Sequence, residues 1–253
     1  MYGRQSRIGI CGRENAMAVR IYVLHLYCGD GEKRQSLLRE AAECVDPVRR
    51  NRAAGLKGTN AKAACLGAGM LLQKMVLDLR DGMADNDMVS IEEEELIRML
   101  REHMQRENTQ PLELAYRYGD SGKPAIVDFP EHFNLSHSGE YVVCAVSNGE
   151  VGIDIQKWVP YKERTAERFF ASEECDLLRE LPVKQRMEMF YRLWTRKEAY
   201  GKYTGLGIGS AVGENLSDEE ECRKRQIRFR ELTPAEGYSM AVCVKKVCEH
   251  TKK

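Results

Sequence analysis

The chain has 253 residues, 43% of them hydrophobic and 31% charged, and its 39 basic and 39 acidic side chains cancel to a formal net charge of zero. That length is enough for a real core, in one large domain or two modest ones packed together. The charge balance argues against bulk electrostatic capture of nucleic acid or a membrane surface.

The first residues, MYGRQSRIGICGRENAMAVR, lack the apolar core of a signal peptide, and no run is long and apolar enough to span a bilayer. Residues 1–17 read as a flexible leader, with Met17 a candidate start. Residues 18–27, AVRIYVLHLY, are rich in β-branched and aromatic residues and predict a strand. Residues 34–56 have a helical pattern, with Arg49, Arg50 and Arg52 grouped after Pro47. A stronger helix is expected over 61–80, where small residues allow close packing. Ser90 and Glu93 form a capping-box pattern ahead of ELIRMLREHM, so the Glu92–Glu95 run reads as a solvated helix start. ELAYRY (113–118) predicts a short strand and GDSGKP a turn.

Asn148-Gly149 between two β-rich runs predicts a hairpin. Helices are expected over 165–180, with turn residues Ala171 and Ser172 inside, and over 184–203. The stretch IRFRELTPAEGYSMAVCVKKV returns to strands. Nine scattered cysteines with no C-x-x-C suggest free thiols in a reducing cytosol rather than a disulfide framework or zinc ribbon. Strands and helices mix without a regular βαβ alternation, which favours an α+β fold.

Three motifs are set aside. Gly205-Leu-Gly207-Ile-Gly209 follows a helix, whereas a dinucleotide loop follows a strand, so it reads as a helix-ending loop. In GDSGKP the spacing is wrong for a phosphate-cradling loop. Ser136-His137-Ser138 lacks a G-x-S-x-G elbow, and neighbouring residues on an extended chain point to opposite sides.

One constellation survives. In GIDIQ (152–156), strand alternation puts Ile153 and Ile155 on one face and Asp154 and Gln156 on the other. In LWTRKEAYGK, Trp194, Glu198 and Lys202 share one helix face. Asp154, Glu198 and Gln156 could supply oxygen ligands to Mg²⁺, and Lys197, Lys202, His137 and the arginines near Arg49 could hold phosphates. The plainer readings are a surface i,i+4 ion pair for Glu198 and Lys202, a solvent-facing Asp154 and a structural His137.

The ordered set G-K-P, F-N-x-S-H-S, G-x-D-I-Q and W-T-x-K-E-A-x-x-K, from about Gly122 to Gly209, resembles the 4′-phosphopantetheinyl transferases of the larger, two-half (Sfp-like) class. The resemblance implies an α+β fold of two similar halves related by a pseudo-twofold, each a small antiparallel sheet with packed helices. The expected divisions are 18–150 and 151–248, with a 249–253 tail. It implies transfer of the phosphopantetheine arm of coenzyme A to a serine of an acyl or peptidyl carrier protein. Adenosine 3′,5′-bisphosphate would be released. The protein is expected to be a cytoplasmic monomer.

By motif, Asp154, Gln156 and Glu198 are the implied Mg²⁺ ligands. Glu198 is also the implied base, and Lys202 the group that stabilises the leaving phosphate. Lys123, Ser136 and His137 are the implied coenzyme A contacts, with Lys197, Arg49 and Arg52 adding to the basic wall. Two departures stand out. Many family members have glutamate where this chain has Gln156. They often carry an arginine where it has Ala64, for which Lys62 is the expected substitute. These departures keep open a non-catalytic coenzyme A-binding protein of the same fold. A Mg²⁺-dependent pyrophosphate hydrolase would use the same residues.

Overall fold

The protein is described from a computed structural model, over residues 19–82, 88–119, 122–161 and 163–246. The leader and Met17, Cys11, Asp120 and Ser121 of the expected turn, Cys248 and the 249–253 tail lie outside the described residues.

Strand β1 (Val19–His25) opens the fold. The segment expected as one helix over 34–56 is two, α1 (Gly31–Glu43) and α2 (Pro47–Gly55). They separate because buried Asp46 caps α2, accepting from the Arg49 amide at 2.9 Å, and Pro47 supplies a first-turn residue that needs no donor. Helix α3 (Thr59–Arg80), strand β2 (Met88–Glu92) and helix α4 (Glu93–Glu107) follow.

Here the expected capping box fails. Ser90 lies within β2, and Glu93 is buried in a two-pronged ion pair with Arg34 (2.5 and 3.2 Å) while accepting from the Tyr27 amide. Glu92, Glu94 and Glu95 are exposed as expected. Ser90 is instead registered with Val23 in the β1–β2 ladder, three residues before the helix begins.

The short strands β3 (Tyr116–Tyr118) and β4 (Pro124–Ile126) pair with each other. Then come β5 (His132–Ser138), β6 (Tyr141–Ser147) and β7 (Val151–Lys157). The predicted hairpin at Asn148-Gly149 does not form. Strand β6 already pairs with β1 and β5, and the chain leaves one sheet at Ser147 to begin another at Val151. Helices α5 (Glu163–Phe169), α6 (Ser172–Glu180) and α7 (Val183–Thr204) follow, and α7 ends at Gly205 in the left-handed region, as the glycine-rich loop suggests. A 3₁₀ turn over Ile208–Ala211 and the short helix α8 (Glu219–Lys224) lead to β8 (Ile227–Leu232) and β9 (Tyr238–Lys245).

The fold is α+β, with small sheets and packed helices. One sheet runs β2-β1-β6-β5 and the other β7-β9-β8. Pairing is antiparallel except between β1 and β2, which are parallel. The odd residues of β1 and β6 (Ile21, Val23, Val143, Ala145) pack on Ile153, Ile155, Met240 and Val242 of the second sheet. The opposite face of the first sheet, with Tyr22, Leu24 and Val142, packs on α1, α3 and α4. The opposite face of the second packs on α7 around Ala199, Ala241 and Cys243. Each sheet is therefore buried on both sides, and each carries one 22-residue helix.

The edge strand of the first sheet is stitched to the edge strand of the second by side chains. Asn134 Oδ1 accepts from the Ile153 amide at 3.0 Å, Ser136 Oγ from Ile155 at 3.4 Å and Ser138 Oγ from Lys157 at 2.9 Å. Alternate residues of β5 thus stand in for the backbone carbonyls of a missing strand. On the other side of β7, α7 presses so close that a Cβ on Gly152 would lie 2.0 Å from the Ala199 carbonyl oxygen and 2.4 Å from the Tyr203 amide nitrogen. Both obstacles are backbone, so neither can step aside. Gly152→Ala is expected to lower stability by at least about 3 kcal/mol, read as a fall in the urea midpoint. An unchanged midpoint would mean that the contact relaxes.

Candidate active site

The face of β7 opposite the inter-sheet core carries Asp154, and α7 runs across it. Asp154 is 2% exposed. Its Oδ1 accepts from Lys202 Nζ at 2.7 Å and from Ser136 Oγ at 2.7 Å, and its Oδ2 accepts from Gln156 Nε2 at 3.0 Å. Lys202 also donates to Ser136 Oγ (2.9 Å) and to the Ile153 carbonyl (3.1 Å), so all three ammonium protons are directed.

Glu198, one helical turn before Lys202, is half-buried and makes no hydrogen bond or ion pair with another described residue. Burial pushes its pKa up, the Asp154 charge pushes it further, and Lys202 opposes both. His137, on the other side of β5 from Ser136, has accessible surface. Partial desolvation and the Lys202 charge hold its pKa below the ordinary histidine value, with Asp154 opposing.

The structure thus brings together Asp154, Gln156, Glu198, Lys202, Ser136 and the neighbourhood of His137. Ser136 was expected to line a coenzyme A pocket. It is buried instead and links Asp154, Lys202 and the Ile155 amide.

Lys197 departs from expectation altogether. It is 0% exposed, pairs with Glu174 (also 0%) at 2.8 Å, donates to the carbonyls of Ala211 and Glu214, and lies over the Phe170 ring. Its position 100° around the helix from Glu198 sends it into the core rather than to the site. Trp194 packs in an aromatic cluster with Phe169, Phe170 and Phe190.

Lys123 bonds Glu150 (2.6 Å) and the Val151 carbonyl (3.1 Å), on the wall of an open cleft of about 720 Å³ that also includes Phe129, His132 and Leu206. Arg49 and Arg52 lie on α2 and Lys62 in the first turn of α3. Arg49 covers the Tyr116 ring at 5.6 Å, Arg52 is exposed and Lys62 half-buried. Among the described residues, none of these three bonds to the Asp154 cluster.

Sequence reasoning missed Asn134, Ser138, Gly152 and Glu174. The first two could have been found from the N-x-S-x-S alternation, which places three short polar side chains on one strand face. Glu174 had no such signal. It holds the Ala171 and Leu216 amides (both 3.0 Å) as well as Lys197.

The carboxylate pair suits a hard divalent cation. Glu198 has an unpartnered carboxylate beside Asp154, and the third oxygen available is the Gln156 amide. An α+β fold with two carboxylates, a lysine and an amide converging where a strand meets a helix defines a candidate for polar group-transfer chemistry. Residues 150–245, which hold Asp154, Gln156, Glu198 and Lys202, match the 4′-phosphopantetheinyl transferase superfamily.

The chain is 38% identical over 146 residues to the 4′-phosphopantetheinyl transferase psf-1 of Bacillus pumilus, covering 52% of this chain and 62% of that protein. It is 36% identical over 137 residues to the 4′-phosphopantetheinyl transferase Sfp of Bacillus subtilis, covering 48% and 59%. It is 41% identical over 127 residues to the 4′-phosphopantetheinyl transferase AcpT of Escherichia coli, covering 46% and 65%. The chain therefore spans about three fifths of the length of these curated relatives. The similarity supports the Sfp-like class.

Removing the Lys197 ammonium would leave Glu174 as an uncompensated buried charge. Lys197→Met is expected to cost about 3–5 kcal/mol in urea unfolding. A variant as stable as the parent would return Lys197 to the list of candidate ligand contacts.

Proposed function

We propose that the protein transfers the 4′-phosphopantetheine arm of coenzyme A to a serine of an apo acyl or peptidyl carrier protein, with Mg²⁺, and releases adenosine 3′,5′-bisphosphate. The observation that carries this reading is the half-buried Glu198 carboxylate, raised in pKa and unpartnered, beside the Asp154–Lys202 pair within the family-matched region. Asp154, Glu198 and the Gln156 amide oxygen would hold the cation. When bound, it would neutralise pyrophosphate charge.

The carrier serine oxygen attacks the phosphorus bearing the pantetheine arm. The bond from that phosphorus to the bridging oxygen breaks, and its electron pair leaves with the bisphosphate. The serine proton passes to Glu198, the carboxylate of the site that no described side chain pairs with. Lys202 stabilises the departing charge electrostatically, and touches it once one of its three present bonds is exchanged for a phosphate oxygen. Ser136 positions both Asp154 and Lys202. His137, Lys123, Arg49, Arg52 and Lys62 are proposed phosphate contacts. They would lie in a cleft between halves divided near residue 150.

The carrier would dock on the rim formed by the 159–190 segment, where Val159 and Val183 are exposed and Val183 is followed closely by Lys184 and Arg186. No described helix is long and apolar enough to cross a membrane. We read the protein as a cytoplasmic monomer.

The test is intact-mass spectrometry of apo carrier protein incubated with this protein, coenzyme A and Mg²⁺. A gain of one phosphopantetheine, abolished by EDTA and reduced at least about 100-fold in rate by Glu198→Ala, is expected. Full transfer by Glu198→Ala would remove Glu198 from the mechanism.

Gln156→Glu should change the relative rates with Mg²⁺ and Mn²⁺ while leaving the urea midpoint nearly unmoved. It replaces a donor to Asp154 with a third negative charge. Identical metal profiles would show that residue 156 does not set metal preference.

A second reading is a non-catalytic coenzyme A-binding protein. It is favoured by the cluster's self-sufficiency, since Gln156 and Lys202 already satisfy Asp154, and by Ala64, whose side chain is buried in the core. Coenzyme A binding without mass gain would select it. Release of free phosphopantetheine without carrier would select a hydrolase.

A further inference from the structure

A second cluster of ligand atoms lies outside the Asp154 site, at one end of the first sheet. His25 ends β1, Cys28 follows it in the next loop, and Glu140 sits in the turn between β5 and β6. Their ligand atoms all lie within 4.8 Å of one another. The loop is tied to the turn by the Leu26 amide, which donates to the Glu140 carbonyl at 2.7 Å. His25 is fixed on both sides: its ring stacks on Tyr141 at 4.8 Å, and its Nδ1 lies 2.9 Å from a Glu92 carboxylate oxygen. With the proton assigned to Nδ1 by that bond, the Nε2 lone pair faces Cys28 Sγ at 3.8 Å.

We propose that His25 Nε2, Cys28 Sγ and the Glu140 carboxylate form a binding site for a thiophilic divalent cation of the zinc type, with Glu92 orienting the histidine. Bonds of about 2.0–2.3 Å in a tetrahedral shell put neighbouring ligand atoms about 3.3–3.8 Å apart, so the cluster needs only side-chain adjustment to close. The carboxylate on the far nitrogen of a ligating histidine is a recurring supporting contact in such sites. One sulfur, one imidazole and one carboxylate select zinc-like ions over Mg²⁺, which prefers an all-oxygen shell. Thiolate and carboxylate together balance a doubly charged cation.

The ligand form of Cys28 is the thiolate, so binding releases the thiol proton. Lys157 is the internal competitor, since its Nζ lies 3.2 Å from Glu140. A bound ion would clamp the loop after β1 to the β5–β6 turn.

The test uses Co²⁺ as a spectroscopic probe on the reduced full chain. One equivalent should produce a near-ultraviolet thiolate-to-cobalt charge-transfer band, which the all-oxygen Asp154 site cannot give. Zn²⁺ should displace the Co²⁺ and raise Tm. Cys28→Ser should abolish the band, and Glu92→Gln should weaken binding about 10-fold. Lys157→Ala should tighten binding, a gain that misfolding cannot mimic. Absence of the band in both the parent and Lys157→Ala, or a band undiminished in Cys28→Ser, overturns the proposal. None of these readouts depends on carrier modification.

Discussion

Three side chains on one strand hold the two sheets in register. Asn134, Ser136 and Ser138 each accept an amide proton from β7, at spacings that follow the two-residue repeat of both strands. A buried amide left unpaired costs roughly 1–3 kcal/mol, so the stitch is needed wherever β7 is to be an edge strand sealed from water. It also sets the position of the chemistry. Ser136, the middle stitch, turns its hydroxyl proton onto Asp154, so the alignment of the sheets and the orientation of the site carboxylate are one constraint.

Helix α7 shows how one segment can serve two opposite ends. Two of its lysines lie five residues apart and differ in burial and in the part of the fold they hold. Lys197 is enclosed with Glu174, where desolvation lowers its pKa against the pull of that carboxylate. Lys202 remains partly exposed and offers its charge to Asp154. The first fastens the helix to α6 and the 3₁₀ turn, and the second reaches from the fastened helix to β7. Gly152 permits the close approach that makes the second contact short.

Much of this was legible in the sequence because it follows from local periodicity. Alternation in GIDIQ separated the buried isoleucines from Asp154, and the four-residue spacing in LWTRKEAYGK aligned Glu198 with Lys202. The α+β class followed from the mixture of elements. What was not legible depends on partners distant in the chain. Asn148-Gly149 is a strong local turn signal, but β6 was already flanked and β7 found a better neighbour in β9. Ser90 and Glu93 matched a cap, yet a strand and the buried Arg34 claimed them. Lys197 looked like part of a basic wall until Glu174, 23 positions earlier and without any motif, was seen beside it.

The pairing of β7 with β9 carries a consequence for how the protein is made. Val151 lies opposite Val244 and Lys157 opposite Tyr238, so this contact closes a loop of about 80–90 residues. During synthesis, β1, β5 and β6 can associate long before β9 leaves the ribosome. Strand β7, with Asp154 on it, must then wait with one edge open. The site is among the last parts of the molecule to assemble, and a nascent chain halted before residue 238 would have the first sheet's partners but no finished surface on which to set its carboxylates.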